Sequence, residues 1–143
     1  MDLCFLKIIM FNGPKKIKYK KTKKGKLVRF EFKANRLRFG TIGLKAAEAG
    51  ILNSRQIEAA RQSIARKTKR KAKIWIKIFP DLPITSKPTG VRMGKGKGQV
   101  SHWGARVRGG TVLFEICGAN TNAIINALRT ASAKLPVKTK IFQ

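Results

Sequence analysis

Six acids, Asp2, Glu31, Glu48, Glu58, Asp81 and Glu115, are all that this chain sets against 33 lysines and arginines, a formal net charge of +27. Most of those cations therefore have no counter-charge within the chain. Self-repulsion of this size opposes compaction, and it is relieved when the phosphates of a polyanion displace mobile counterions. The fold must accordingly keep an apolar core on one side of its elements and a cationic surface on the other. With 143 residues and a hydrophobic fraction of 43%, there is material for one domain with a real core.

The stretch from Lys73 to Phe79 meets that demand most clearly. Ile74, Ile76 and Ile78 alternate with Lys73, Trp75, Lys77 and Phe79, as a half-buried strand requires. The isoleucine face belongs to the core. The other face either offers cations and rings to an RNA or packs Trp75 and Phe79 beneath another element while the lysines reach past them to water.

Upstream, a helix is expected from Asn53 or Ser54, because Gln56 follows Asn53 by three residues as in a capping box. Ile57, Ala60 and Ile64 fall on one face. Arg55, Gln62, Arg66 and Lys69 line another, and Lys69, Arg70 and Lys71 crowd the expected end, where the helix dipole favours cations. Val28, Phe30 and Phe32 are spaced as one buried strand face. A second strand stretch is expected over 37–44, with bulges or turns at Gly40 and Gly43. Further strands are expected over 103–108 and 111–117, joined by Gly109 and Gly110 as a plausible hairpin turn. A second helix fits 121–134, with Ile124, Ile125, Leu128 and Ala131 inward, and a last strand fits 137–142.

Two segments read as appendages. From Gly13 to Lys26 lysine dominates, a composition that cannot collapse alone; it is either a solvated arm or one that orders in an RNA groove. Between Pro80 and His102, Pro80, Pro83 and Pro88 interrupt regular structure and VRMGKGKG follows from Val91 to Gly98. Glycine lets the backbone approach a ligand closely and Arg92, Lys95 and Lys97 supply cations for phosphates. A solvated linker would share this composition. The spacing matches neither a nucleotide phosphate loop nor a dinucleotide turn.

The chemistry of other classes is thinly represented. Cys4 and Cys117 lie far apart, and His102 is the only histidine, so no cofactor or metal is expected. No pair of acids has catalytic spacing, which leaves His102 as the lone candidate base for an RNA-directed enzyme. The opening MDLCFLKIIMF has neither a basic start nor a cleavage site and is too short to span a bilayer; neither a secretory signal nor a transit peptide is expected. Charge alone would also permit a non-specific cationic nucleic-acid-binding or membrane-active protein.

Five segments together resemble ribosomal protein sixteen of the bacterial-type large subunit: FGTIGLKA at Phe39 to Ala46, SRQIEAAR at Ser54 to Arg61, KIWIKIFPD from Lys73, RMGKGKG from Arg92, and AKLPVKT around Lys134. The resemblance covers most of the chain. It implies an α+β fold, an antiparallel sheet with two helices packed on one side, over residues 27–143, preceded by a basic arm over 1–26 and carrying a protruding loop over 80–102. It implies a structural, non-enzymatic role at the base of the central protuberance, bound to large-subunit ribosomal RNA and neighbouring ribosomal proteins, without small-molecule substrate or membrane. The loop would approach transfer RNA at the A and P sites. On this sequence the RNA-binding set is Arg55, Arg61, Arg66, Lys69, Arg70, Lys71, Lys73 and Lys77 on the body, with Arg92, Lys95 and Lys97 on the loop. The leader before Gly13 and the almost pure lysine of the arm depart from the family pattern. The lysine, isoleucine and asparagine bias, with LPITSKP and ARV, points to a mitochondrial ribosome, with bacterial cytoplasm and plastid as alternatives.

Overall fold

The computed structural model describes residues 13–143. The leader over 1–12 and its Cys4 lie outside the described residues. Along the chain come strands β1 (Ile42–Ala46) and β2 (Gly50–Asn53), helix α1 (Ser54–Lys67), and strands β3 (Lys73–Ile76), β4 (Leu82–Ser86), β5 (Gln99–Val107) and β6 (Val112–Cys117). Helix α2 (Thr121–Ser132) and strand β7 (Thr139–Phe142) complete the order. The class is α+β, with every strand pairing antiparallel. The pairing is divided between two sheets, one ordered β3-β6-β1-β7 and the other β2-β5-β4.

Alternation decides which face of the larger sheet meets the helices. Ile42, Leu44, Phe114 and Ile116 are buried among Ile57, Ala60 and Ile64 of α1 and Ile124, Ala127, Leu128 and Ala131 of α2. Ile74, Ile76, Ile125 and Ile141 pack around this core half-buried, and Ile78 is buried just beyond β3. On α1 the capping box forms as expected: the Asn53 backbone N–H donates to Gln56 Oε1 at 2.9 Å.

Several expectations change. The single sheet is two, and the strand expected over 37–44 begins only at Ile42, because the amides of Arg38, Phe39 and Gly40 turn to the Glu115 side chain and not to a ladder. Val28, Phe30 and Phe32 form no strand, and all three are exposed. Period-two spacing records only which residues share a side; the Glu31 N–H does donate to the Gly109 carbonyl, and the Val112 N–H at the start of β6 to that of Ala34, but the side carrying Val28, Phe30 and Phe32 stays exposed. The ladder of β1 and β6 shifts register between Leu44 and Lys45, where Leu113 of β6 is the extra residue, instead of at Gly40 or Gly43. Those two glycines serve close approach: a Cβ on Gly43 would come within 2.6 Å of the Leu37 side chain, and one on Gly40 within 2.7 Å of the Ile116 nitrogen.

Gly109 and Gly110 do make a turn, closed by the Thr111 N–H on the Arg108 carbonyl at 3.1 Å. It is no hairpin, however, because β5 and β6 belong to different sheets. Finally, much of the span 80–102 is strand. Pro83 lies opposite Trp103 and Ile84 opposite His102, a position proline tolerates because β4 is an edge strand and the missing N–H costs no ladder bond. The irregular tip is confined to 87–98.

The arm over 13–26 has neither helix nor strand, and its lysines are exposed, yet it lies against β5 and the tip. Gly13 abuts the Trp103 ring. Lys21 Nζ donates to the Lys97 carbonyl at 2.8 Å while Lys97 Nζ donates to the Thr22 carbonyl, and Arg106 reaches the Lys24 carbonyl at 3.4 Å.

Candidate nucleic-acid interface

β3 lies at the edge of its sheet, so it presents two faces and one open side. Its inward isoleucines meet α1. Its outward Trp75, and Lys77 just past its end, meet the segment over 36–40, which crosses the far face of the sheet: Phe39 stacks on Trp75 with centroids 5.9 Å apart and an interplanar angle of 22°. Lys77 Nζ sits 4.6 Å from the centre of the Phe39 ring, and Lys73 Nζ 5.2 Å from the centre of the Trp75 ring. Of the two readings of this face, the packed one describes Trp75, which is half-buried under Phe39; Phe79 stays exposed.

Beneath that pair lies a carboxylate that sequence reasoning did not single out. Glu115 is fully buried in β6, opposite Trp75 in the ladder. Its Oε2 accepts the backbone N–H groups of Phe39 at 2.7 Å, Gly40 at 3.0 Å and Arg38 at 3.2 Å, and Lys77 Nζ lies 3.5 Å from Oε1. Burial disfavours its charge, but the amides of Phe39, Gly40 and Arg38 together with Lys77 outweigh burial and hold the carboxyl below its ordinary value of 4.5. The signal available in sequence was an acid enclosed in the apolar run VLFEIC. A buried acid needs donors, and here the glycine-containing turn before β1 provides them.

The expected body cations separate into two groups. Arg55, Arg66, Lys69, Arg70 and Lys71 are exposed on α1 or just beyond it, and Lys73 is exposed at the start of β3. Arg61 and Lys77 are half-buried and each is paired with an acid. Arg61 chelates Glu58 through Nε at 2.9 Å and Nη2 at 2.6 Å. Burial works against the Glu58 charge, yet hydrogen bonds from Arg61 and Gln62 bring its pKa below the usual value; the same contact raises that of Arg61.

α1 ends unusually. The Arg70 N–H reaches back to the Ala65 carbonyl at 2.9 Å and the Lys69 N–H to that of Arg66 at 3.1 Å, a closure that normally uses glycine. Instead Lys69 and Arg70 hold positive φ, 49° and 60°. Left-handed backbone costs an L-residue about 1–2 kcal/mol, and glycine gives back roughly 0.5–1 through its unfolded-state entropy. Arg70→Gly is therefore expected to raise stability by about 0.5–1 kcal/mol in urea titration while weakening RNA binding in a filter assay. Unchanged RNA affinity would mean that the strained turn displays Arg70 for nothing.

Arg61, Arg70 and Lys77 converge on one groove of about 660 Å³ between α1 and the open side of β3, with Phe39 and Trp75 in its wall. Arg92, Lys95 and Lys97 do not line it. They occupy the exposed tip between β4 and β5, where Lys95, Gly90, Gly94 and Gly96 all take positive φ. Nothing described packs within 4 Å of a Cβ built on those three glycines, which serve backbone conformation, whereas Gly98 at the base of the tip serves close approach to the Ser86 backbone.

A family model described as Ribosomal protein L16p/L10e matches residues 14–142, which takes in both the groove and the tip. The chain belongs to this family. Similar proteins include the large ribosomal subunit protein uL16 of Borrelia recurrentis (strain A1), 51% identical over 127 residues that make up 89% of this chain and 92% of that protein. The uL16 protein of Bartonella quintana (strain Toulouse) is 50% identical over 130 residues, 91% of this chain and 95% of its own length. Family membership thus extends over the arm, both sheets and both helices in one continuous match.

Proposed function

We propose that this chain is a structural, non-enzymatic constituent of the large ribosomal subunit, associated there with ribosomal RNA and neighbouring ribosomal proteins. The observation that carries this reading is the family match across residues 14–142. The physical chemistry agrees with it: a well-packed core is wrapped in cations for which the chain has few acids. Glu31, Glu58 and Glu115 each already hold a cation within the fold, Arg108, Arg61 and Lys77 respectively. Most of the remaining positive charge is available for phosphate.

The finer assignment divides the surface in two. Arg55, Arg66, Lys69, Arg70, Lys71 and Lys73 serve as the phosphate-contacting set of the body, with Arg61 and Lys77 contributing from paired positions. Arg92, Lys95 and Lys97 serve at the tip, directed to ribosomal RNA and to transfer RNA at the A and P sites. The arm over 13–26 and the tip act as one extension, since Lys21 donates to the Lys97 carbonyl and Lys97 donates to the Thr22 carbonyl. The residue bias of the sequence supports an organellar, mitochondrial ribosome as the home of this chain, while the similar proteins named above are bacterial.

Expression of a tagged chain in its source cells, followed by gradient sedimentation of organellar and cytosolic ribosomes, tests both levels. The chain should travel with large subunits and not with small ones. The triple variant Arg92→Ala, Lys95→Ala and Lys97→Ala should melt normally, because none of these side chains touches the core. Each lost charge-assisted contact is worth about 1.5–3 kcal/mol, so subunits reconstituted with it should be slow in peptide-bond formation or late assembly. Full activity with normal assembly would reduce the tip to a linker.

A further inference from the structure

We propose that the groove between α1 and the open side of β3 receives one unstacked nucleotide of ribosomal RNA, its base against the Phe39 and Trp75 rings and its phosphate on Arg70. This rests on the ribosomal reading above and adds to it a pocket for a base, where that reading needed only phosphates.

The lining dictates the occupant. Ala65, Ala72, Ile74 and Ile76 supply apolar surface, Phe39 and Trp75 an aromatic wall, and Arg61, Arg70 and Lys77 the cations. The one acid, Glu58, is chelated by Arg61, so the groove is net positive. An occupant must be planar, partly apolar and anionic at one end, which describes a nucleotide whose base has left its stack. Base-paired RNA hides that face, whereas loops and bulges expose it.

Size and rigidity agree. A cleft of about 660 Å³ is in the range of small-ligand sites. Phe39 keeps 60% of its surface exposed although its backbone is fastened to buried Glu115, so the ring is held in place before anything binds. A protein strand is a poorer occupant. β3 has only four residues and carries Lys73 at its start with Lys77 just past its end, the pattern by which edge strands repel added strands.

Trp75 and Trp103 are the only tryptophans, so in the full chain carrying Trp103→Phe selective tryptophan excitation reads Trp75 alone, separately from Tyr19. Titration with hexauridylate should quench it, and titration with inorganic polyphosphate of equal charge should not. Phe39→Leu, which keeps an apolar side chain over Trp75, should weaken hexauridylate binding about tenfold and leave polyphosphate binding unchanged. Equal quenching by both polyanions, or equal loss of both affinities, would overturn the pocket. In large subunits carrying the full chain, ultraviolet cross-linking should join a peptide containing Phe39 or Trp75 to a nucleotide. A cross-link from that peptide to a neighbouring protein would overturn the pocket and leave subunit membership standing; absence of the chain from large subunits would overturn both.

Discussion

Affinity for large-subunit RNA is expected to fall by roughly 10³ to 10⁵ between 50 and 200 mM salt, the loss that about six to ten phosphate contacts produce through counterion release. The number of contacts follows from the surface. Eight body cations and three tip cations form the proposed set, and two of them, Arg61 and Lys77, already answer to acids. Neutralised charges release fewer counterions, so Arg61→Ala should change the slope less than Arg66→Ala. The measurement is a log-log plot of binding constant against salt for the two variants and the parent chain. A nearly flat parent plot would remove the electrostatic basis of the interface.

Glu115→Ala is expected to cost about 3 kcal/mol of stability, because it leaves backbone donors of Arg38, Phe39 and Gly40 without their acceptor inside the fold. The same carboxylate sets a pH dependence. Its folded pKa lies below the ordinary 4.5, so the unfolded chain takes up the proton first as acid is added. Its contribution is complete above about pH 4.5 and disappears as the pH falls from there through the folded value. Urea midpoints from pH 7 down to pH 3 should decline in that window, and the decline should be shallower in Glu115→Gln. Lys77→Ala should cost less than Glu115→Ala, since the three amides still hold the carboxylate. If Lys77→Ala proved the more damaging, the salt bridge and not the amide cradle would be the fastening of Phe39.

Local patterns in the sequence were good guides wherever a segment's partner was dictated by its own residues. Asn53 and Gln56 cap α1 because both members of the box lie within one turn, and Ile57, Ala60 and Ile64 bury because 3.6-residue spacing leaves them no other face. Long-range choices were less legible. The turn at Gly109 and Gly110 was visible, but a turn does not say whether the next strand rejoins the same sheet. Pro83 suppressed a strand that exists, since the effect of a missing N–H depends on which side of β4 is paired. Val28, Phe30 and Phe32 have strand spacing, yet their shared side stays exposed although the segment touches the start of β6. The candidate groove was half legible: Trp75 and the cations stood out, while Phe39 and Glu115 come from distant segments and meet only through the fold.

β5 is hydrogen-bonded on both sides, to β2 through Gly104 to Val107 and to β4 through Gln99 to Gly104. Its nine residues span about 30 Å, and a one-residue slip against either neighbour would turn every side chain to the opposite face. Length changes where the tip joins β4 and β5 would therefore be read by the whole body, down to Asn53 at the cap of α1, which pairs with Gly104. At Gly94 and Gly96 the backbone is already left-handed and nothing crowds it. A fluorophore or affinity label spliced between those two glycines would ride at the end of a stiff mast, reporting on whatever the tip approaches while the core keeps its register.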